Sequence, residues 1–234
     1  MYKRQGDDTL EGGVGDDVLW GNDGDDTLYG RGGDDAIRTG NGRNVVFGGA
    51  GNDNINGNLT GTDTWSRFLY TGGLQADGGE GNDFIYGSSS DDGLIGGAGN
   101  DFLVGGAGND NLNGGDGDDT IHGEEGNDTL ESGVGNDVLW GDDGDDAIDG
   151  GVGDDTLYGG EGNDTLEGGV GDDVLWGNDG DDTLYGRDGD DAIRTGNGRN
   201  VVVGGAGNDN INGNLTGTDT WSRFLYTGGL QACL

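Results

Sequence analysis

Versions of one nine-residue phrase, G-G-x-G-x-D-x-U-x with U a large aliphatic residue, recur twenty-one times in this 234-residue chain. Gly12 to Trp20 is a complete copy, and Gly96 to Val104 is another. Repetition at so short a period sets the architecture before any local motif is weighed. One copy is too short to enclose a core, so each copy must bury its apolar residue against its neighbours. The glycines open backbone conformations closed to other residues. An acid at a fixed place in every turn supplies oxygen ligands for a hard cation.

The sixth-place acid stands at Asp8, Asp17, Asp26 and Asp35, lapses to Asn44 and returns at Asp53. It resumes at Asp83, Asp92, Asp101, Asp110, Asp119, Asp128, Asp137, Asp146, Asp155, Asp164, Asp173, Asp182 and Asp191, lapses to Asn200 and ends at Asp209. The eighth place is Leu, Ile or Val in all twenty-one copies, which random placement in a chain 29% hydrophobic does not produce. Each phrase thus has six residues of turn chemistry and a triplet such as Val18-Leu19-Trp20 or Val138-Leu139-Trp140. The triplet alternates out, in, out, so the middle aliphatic faces a core. Two phrases, turn-strand-turn-strand, make a coil of eighteen residues, and coils stack one strand spacing apart in parallel sheets.

Forty-seven acids against ten bases leave a net charge of −37. Such a chain repels nucleic acid and anionic surfaces. High charge with so few core residues is also the composition of a disordered chain, so folding is expected to require counter-ions. No stretch is long and apolar enough for a membrane helix, and Met1-Tyr2-Lys3-Arg4-Gln5 lacks the apolar run of a secretory signal. The single cysteine, Cys233, cannot form an intrachain disulfide. The absence of proline suits a backbone in which nearly every N–H joins a ladder or turn.

These repeats resemble the repeats-in-toxin family, whose parallel β-roll binds Ca2+ through this nonapeptide. The resemblance implies an all-β fold: a right-handed parallel β-roll solenoid with one irregular insert and a C-terminal copy of it. In the family the ion lies between successive turns on one edge, held by sixth-place aspartates and turn carbonyls. Carried onto this chain, the partners are Asp8 with Asp26, Asp17 with Asp35, Asp83 with Asp101, Asp92 with Asp110, and so on at eighteen-residue steps. Asn44 and Asn200, each preceded by an arginine (Arg43, Arg199), are expected to make weak or empty sites. Four same-edge pairs in the first block and thirteen in the second allow up to about seventeen ions, whose +34 nearly matches the −37 of the chain. Flexible oxygen-rich turns suit Ca2+ better than the strictly octahedral Mg2+. The family also implies secretion, to the extracellular space or cell surface, with folding triggered by external Ca2+.

Above the nonapeptide lies a larger duplication. Residues 6–76 recur as 162–232 with three differences, Asp7/Asn163, Gly32/Asp188 and Phe47/Val203. The segment 57–77 breaks the register of nine and carries Trp65, Phe68, Leu69 and Tyr70, as a binding loop or as a local cap over one sheet; the cap is favoured. Four segments follow: a first roll block 1–56, the aromatic insert 57–77, a second roll block 78–212, and an end segment 213–234. Outward positions also differ between the sheets. One face carries Phe84, Tyr86, Phe102, Val104, Val138, Trp140, Tyr158, Val174 and Trp176, while the other carries Asn111, Asn113, Glu131, Asp149, Glu167 and Thr183. An apolar stripe marks a contact surface, or else its aromatics stack along the sheet; contact is favoured here.

No carboxylate pair is unique enough to act as catalytic acid and base. His122, the only histidine, is an outward ninth-place residue with no neighbouring nucleophile, and Cys233 has no base partner. An enzyme is therefore not expected. Two readings remain. One is a Ca2+-locked extracellular structural rod that joins copies of itself head to tail into a filament or surface layer, with lateral contacts through the Trp140/Tyr158/Trp176 face. The other is a Ca2+-binding module of a larger secreted enzyme, toxin or adhesin. The initial Met and the lack of room for a catalytic domain favour the rod. Neither reading has nucleic acid or membrane insertion as a partner.

Overall fold

The computed structural model describes residues 6–56, 73–213, 223–225 and 231–232, and among them strands are joined only by turns and bends, with no helix. The aromatic insert around Trp65, Phe68, Leu69 and Tyr70 lies outside the described residues. The chain divides into two compact units, Met1–Asp116 and Gly117–Leu234.

In the first unit the strands are β1 (Thr9–Val14), β2 (Val18–Asp23), β3 (Thr27–Gly32), β4 (Ala36–Asn41), β5 (Asn44–Ala50), β6 (Asn54–Asn56), β7 (Leu74–Glu80), β8 (Phe84–Ser88), β9 (Gly93–Ala98), β10 (Phe102–Ala107) and β11 (Asn111–Asp116). Odd strands pair in parallel with odd ones, and even with even. The register is eighteen residues, as in Leu10↔Leu28 and Leu19↔Ile37. Two nonapeptides therefore make one coil, and the unit is a parallel β-solenoid.

The second unit repeats the plan. Its strands are β12 (Thr120–Glu125), β13 (Thr129–Val134), β14 (Val138–Asp143), β15 (Ala147–Asp149), β16 (Thr156–Glu161), β17 (Thr165–Val170), β18 (Val174–Asp179), β19 (Thr183–Asp188), β20 (Ala192–Arg194), β21 (Val201–Ala206), β22 (Asn210–Asn212), β23 (Arg223–Leu225) and β24 (Gln231–Ala232). Here too strands pair two apart and in parallel.

Most strands are six residues long, twice the triplet read from the sequence. After the triplet the chain keeps pairing through the next two places and beyond, as in Asp142↔Gly160 and Asp143↔Glu161. Pairing there needs no side chain. Each coil bends at the same place as its neighbour, so the ladder carries through the bend.

The core is a set of rows running up the stack. All twenty-one eighth-place aliphatics are buried. The sequence offered this one inward row, but the structure has three. The first-place residue, usually glycine, also faces inward, as in the alternating burial of β14 and β16. The sixth-place acid is buried beside it from Asp26 to Asp209, while Asp8 and Asp17, in the first coil, are half-buried.

The ladder also crosses the irregular insert. β5 pairs with β7 in the register Val46↔Ala76, and β6 pairs with β8 through Ile55↔Ile85. One coil therefore spans thirty residues instead of eighteen. Leu74 to Asp77, read from sequence as the end of the insert, instead open a strand with Ala76 in the aliphatic row. Leu74 is buried in the place an acid holds elsewhere.

Candidate metal centre

Each turn holds its aspartate by two backbone bonds. The N–H of Asp146 donates to Asp164 Oδ1 at 2.9 Å, and the N–H of Asp164 donates to Asp182 Oδ1 at 3.1 Å. On the other edge the same chain runs Asp155 to Asp173 to Asp191, at 2.9 and 3.0 Å. The carbonyl of each aspartate accepts the seventh-place N–H one coil later, as Asp146 does from Thr165 at 2.8 Å. A second ladder, on the exposed fifth place, runs the opposite way: the N–H of Asn163 donates to Asp145 Oδ1 at 2.8 Å, and that of Asp181 to Asn163 Oδ1 at 3.0 Å. Each turn is thus tied to both neighbours in its own edge row.

The inner ladder uses Oδ1 alone. The Oδ2 atoms of Asp26, Asp35, Asp53, Asp83, Asp146, Asp155, Asp164, Asp173, Asp182 and Asp191 are buried and accept no hydrogen bond. A buried carboxylate oxygen left so is costly without a partner. Beside each lies a hollow that the first-place glycine keeps open. A Cβ on Gly159 would sit 2.3 Å from Asp164 Oδ2 and 2.7 Å from the Gly177 carbonyl oxygen. One on Gly141 would sit 2.3 Å from Asp146 Oδ2 and 2.6 Å from the Gly159 carbonyl. The hollow is therefore lined by a carboxylate and a carbonyl oxygen, the donor set of Ca2+. The residues present fit that ion, and the orphaned Oδ2 row supports the fit.

The electrostatics point the same way. Burial pushes Asp53, Asp146, Asp155 and Asp191 up to about 7, with the carboxylates above and below adding to the shift. Burial likewise raises Asp83, Asp101, Asp164, Asp173 and Asp182 to about 6. Asp26, Asp35, Asp92 and Asp137 are also raised, again by burial first. The backbone N–H at each Oδ1 opposes the shift but does not overcome it. A stack of desolvated like charges is unfavourable by itself, and a dication between them reverses the balance.

The two asparagines keep the ladder and give up the metal oxygen. Asn44 Oδ1 accepts from Asp26 at 2.9 Å, while its Nδ2 donates to the carbonyls of Gly40 and Gly42 at 3.4 and 3.2 Å. Asn200 Oδ1 accepts from Asp182 at 2.7 Å, and its Nδ2 donates to the Thr195 and Asn197 carbonyls, both at 3.3 Å. The amide donates its protons to carbonyls of its own turn, at the place where the aspartates leave an Oδ2 without a hydrogen bond.

Several features escaped the sequence reading. Asp53 donates its N–H to Asp83 Oδ1 at 2.6 Å across the insert, a thirty-residue pair that separate blocks do not count. Leu74 brings no carboxylate to the row between Asn44 and Asp92, though its N–H still donates to Asp92 Oδ1 at 2.5 Å. Asp92 Oδ2 accepts the N–H of Ser88 at 2.5 Å. Three first-place glycines are replaced by the buried hydroxyl residues Thr39, Ser132 and Thr195. The Ser132 hydroxyl donates to the Gly150 carbonyl at 2.5 Å, inside a hollow that is open elsewhere. The signal was present, because Thr39 and Thr195 precede Asn44 and Asn200 by five residues. It is a paired departure, glycine and acid lost together.

On the outward side of the even ladder the aromatics stack on one another. His122 lies on Trp140 at 4.3 Å, Trp140 on Tyr158 at 5.5 Å and Tyr158 on Trp176 at 6.0 Å, with the Arg194 guanidinium 4.1 Å above Trp176. These rings are half-buried by one another, the arrangement expected of a row that packs along its own sheet.

The family model described as RTX calcium-binding nonapeptide repeat (4 copies) matches residues 4–37, 29–59, 75–103, 95–130, 104–139, 122–157, 158–193 and 185–215. No curated protein matches the chain. Among solved structures, the chain is similar to a hyperactive, Ca2+-dependent, β-helical antifreeze protein from an Antarctic bacterium. The two are 20% identical with a TM-score of 0.56, over 92% of this chain and 80% of that one. At that identity the likeness is one of fold.

Proposed function

The chain belongs to the RTX calcium-binding nonapeptide-repeat family, and from that premise we propose that it is an extracellular structural rod, locked by Ca2+, which joins copies of itself head to tail and catalyses no reaction. One ion is held at each stacked pair of sixth-place aspartates within a unit, Asp53 with Asp83 included. The turns at Asn44 and Asn200 do not contribute fully. Site affinities fall at about 10⁻⁴–10⁻³ M, the range of extracellular modules. Calcium outside the cell then completes a fold that the uncompensated carboxylates resist.

The observation that carries the assembly is the behaviour of one sequence in two settings. Gln75-Ala76 lies in β7, which pairs with β5 on one side and β9 on the other. Its duplicate, Gln231-Ala232, pairs with β22, and Arg223–Leu225 with β21. We infer that the duplicate is likewise followed by a further coil, supplied by the first coil of a second molecule, as β9 follows β7. Such a heterologous contact repeats itself into a filament. Lateral contacts through the Trp140/Tyr158/Trp176 face then join filaments.

Electron microscopy and sedimentation of the protein with and without millimolar Ca2+ test this reading. Filaments are expected with Ca2+ only, and deletion of 213–234 is expected to leave a Ca2+-binding monomer. Monomers of the intact chain at high concentration in Ca2+ would overturn the filament. They would favour the second reading, in which further repeats of a larger secreted protein cover the same edges.

A further inference from the structure

We propose that His122, Glu124 and Asp142 form a second kind of metal site, for a transition-metal dication such as Zn2+, built from partly exposed side chains beside the Ca2+ edge. Asp142 is close enough to Asp146 to raise its carboxyl. His122 and Glu124 stand two residues apart on β12. Asp142 is the register partner of Glu124 on β14, just as Trp140 is the partner of His122. The three side chains converge: one ligand atom from each lies within 4.8 Å of the others. His122 Nδ1 is already 3.5 Å from Asp142 Oδ2. Tetrahedral bonds of about 2.0 Å place ligands about 3.3 Å apart, a closure that partly exposed side chains can make by rotation.

Two independent features support the site. The His122 ring lies flat on Trp140, with centroids 4.3 Å apart and planes 2° from parallel. That stack fixes the imidazole plane before any metal arrives. The two carboxylates also occupy the second place of their repeats, where a left-handed backbone makes glycine the inexpensive residue. Gly160 has φ 127° there, but Glu124 holds φ 78° and Asp142 φ 70°. Asn22, Arg31, Asn178 and Arg187 hold the same place with positive φ, but only in these two adjacent coils are the residues acids, and they flank the only histidine in the chain.

The donor set decides the metal. The Ca2+ hollows offer oxygen alone. A nitrogen and two carboxylates suit Zn2+, Ni2+ or Cu2+, whose affinity for imidazole exceeds that of Ca2+. Because the ligands come from two stacked coils, the site exists only in the folded roll, and a bound ion there pins β12 to β14.

The test uses the full chain in millimolar Ca2+, with Cys233→Ser removing the one thiol. Calorimetric titration with Zn2+ is expected to show one tight equivalent that excess Ca2+ does not displace. His122→Ala, with circular dichroism confirming an intact roll, should weaken that equivalent more than about tenfold, the low end for a lost partner beyond the ligands themselves. Glu124→Gln and Asp142→Asn should weaken it likewise, and Glu125→Gln should not. Cu2+ in place of Zn2+ should quench Trp140 fluorescence, and His122→Ala should abolish that quenching. Zn2+ binding unchanged in His122→Ala, or displaced stoichiometrically by Ca2+, overturns the proposal while leaving the Ca2+ roll untouched.

Discussion

Residues 6–56 and 162–212 are nearly the same sequence placed in two units, and the structure treats their inward and outward residues differently. Leu10 and Leu166, and Leu19 and Leu175, are all fully buried. The outward residues diverge. Val18 is 53% exposed and Trp20 37% exposed, whereas Val174 and Trp176 are half-buried. β2 has β4 beside it, but β18 lies between β16 and β20. Trp20 meets Arg38 at 5.1 Å, whereas Trp176 is held between Tyr158 and Arg194. The acids follow the same rule: burial raises both members of each pair, and Asp182 and Asp191 reach about 6 and about 7. A residue facing inward is packed by its own coil. A residue facing outward or along an edge is packed by the coils next to it.

The widest test of that contrast is removal of Ca2+. Circular dichroism under EDTA is expected to lose the β signal and the thermal transition. On back-titration, hydrogen exchange read on peptides distinguished by Gly32/Asp188 and Phe47/Val203 should protect 162–212 at lower free Ca2+ than 6–56. A chelated protein that keeps its full β spectrum would sink the metal-coupled reading, and simultaneous protection would erase the difference between copies.

Next in size is Asp182→Ala against Asp26→Ala in Ca2+. Each leaves an N–H without its carboxylate, of Asp164 at 3.1 Å and of Asp8 at 2.8 Å. An unsatisfied buried donor costs about 1–3 kcal/mol, before the lost ion is added. The Asp182 variant should lose more thermal stability, because its lower partner Asp164 is buried within the stack, whereas Asp8, the lower partner of Asp26, is half-buried in the first coil. Asp116→Ala, at an exposed third-place residue, should do little. Equal losses from all three would argue against the register assigned to the ligands.

The pH dependence comes third. In metal-free protein the raised carboxyls hold protons that the unfolded chain releases near its ordinary pKa of about 3.9. Their contribution to stability is therefore full below about pH 4 and is lost as pH rises through about 6 to 7. Chelated protein should gain β structure on acidification from neutral pH. With Ca2+ the slope reverses, since protons compete with the ion for the same oxygens. Melting curves at several pH values, with EDTA and with Ca2+, read both signs, and parallel slopes would separate the carboxyl rows from the metal.

The smallest effect is expected at the capping arginines. Arg194→Ala should cost about 0.5–2 kcal/mol, the range of a cation–π contact, and Arg38→Ala less, because its ring contact is longer and more exposed. A chemical-denaturation series in Ca2+ resolves the pair.

Much of this molecule follows from period alone. The eighth-place aliphatics and sixth-place acids fall inward wherever the phrase is intact, since a nine-residue step and an eighteen-residue coil leave them nowhere else to go. Asn44 and Asn200 stand out for the same reason, as local departures from a local rule. What the sequence could not carry is whatever depends on which coils become neighbours. Asp53 meets Asp83, and Ala76 completes the aliphatic row, only because strand pairing bridges the insert. Gln75-Ala76 joins β5 while its duplicate joins β22, a difference that two identical dipeptides cannot themselves encode. The Ser132 hydroxyl and the meeting of His122, Glu124 and Asp142 belong to the same class. Inward direction is a property of one strand and its pleat. Adjacency is a property of the stack, so it is decided only when hydrogen-bonded coils choose their partners.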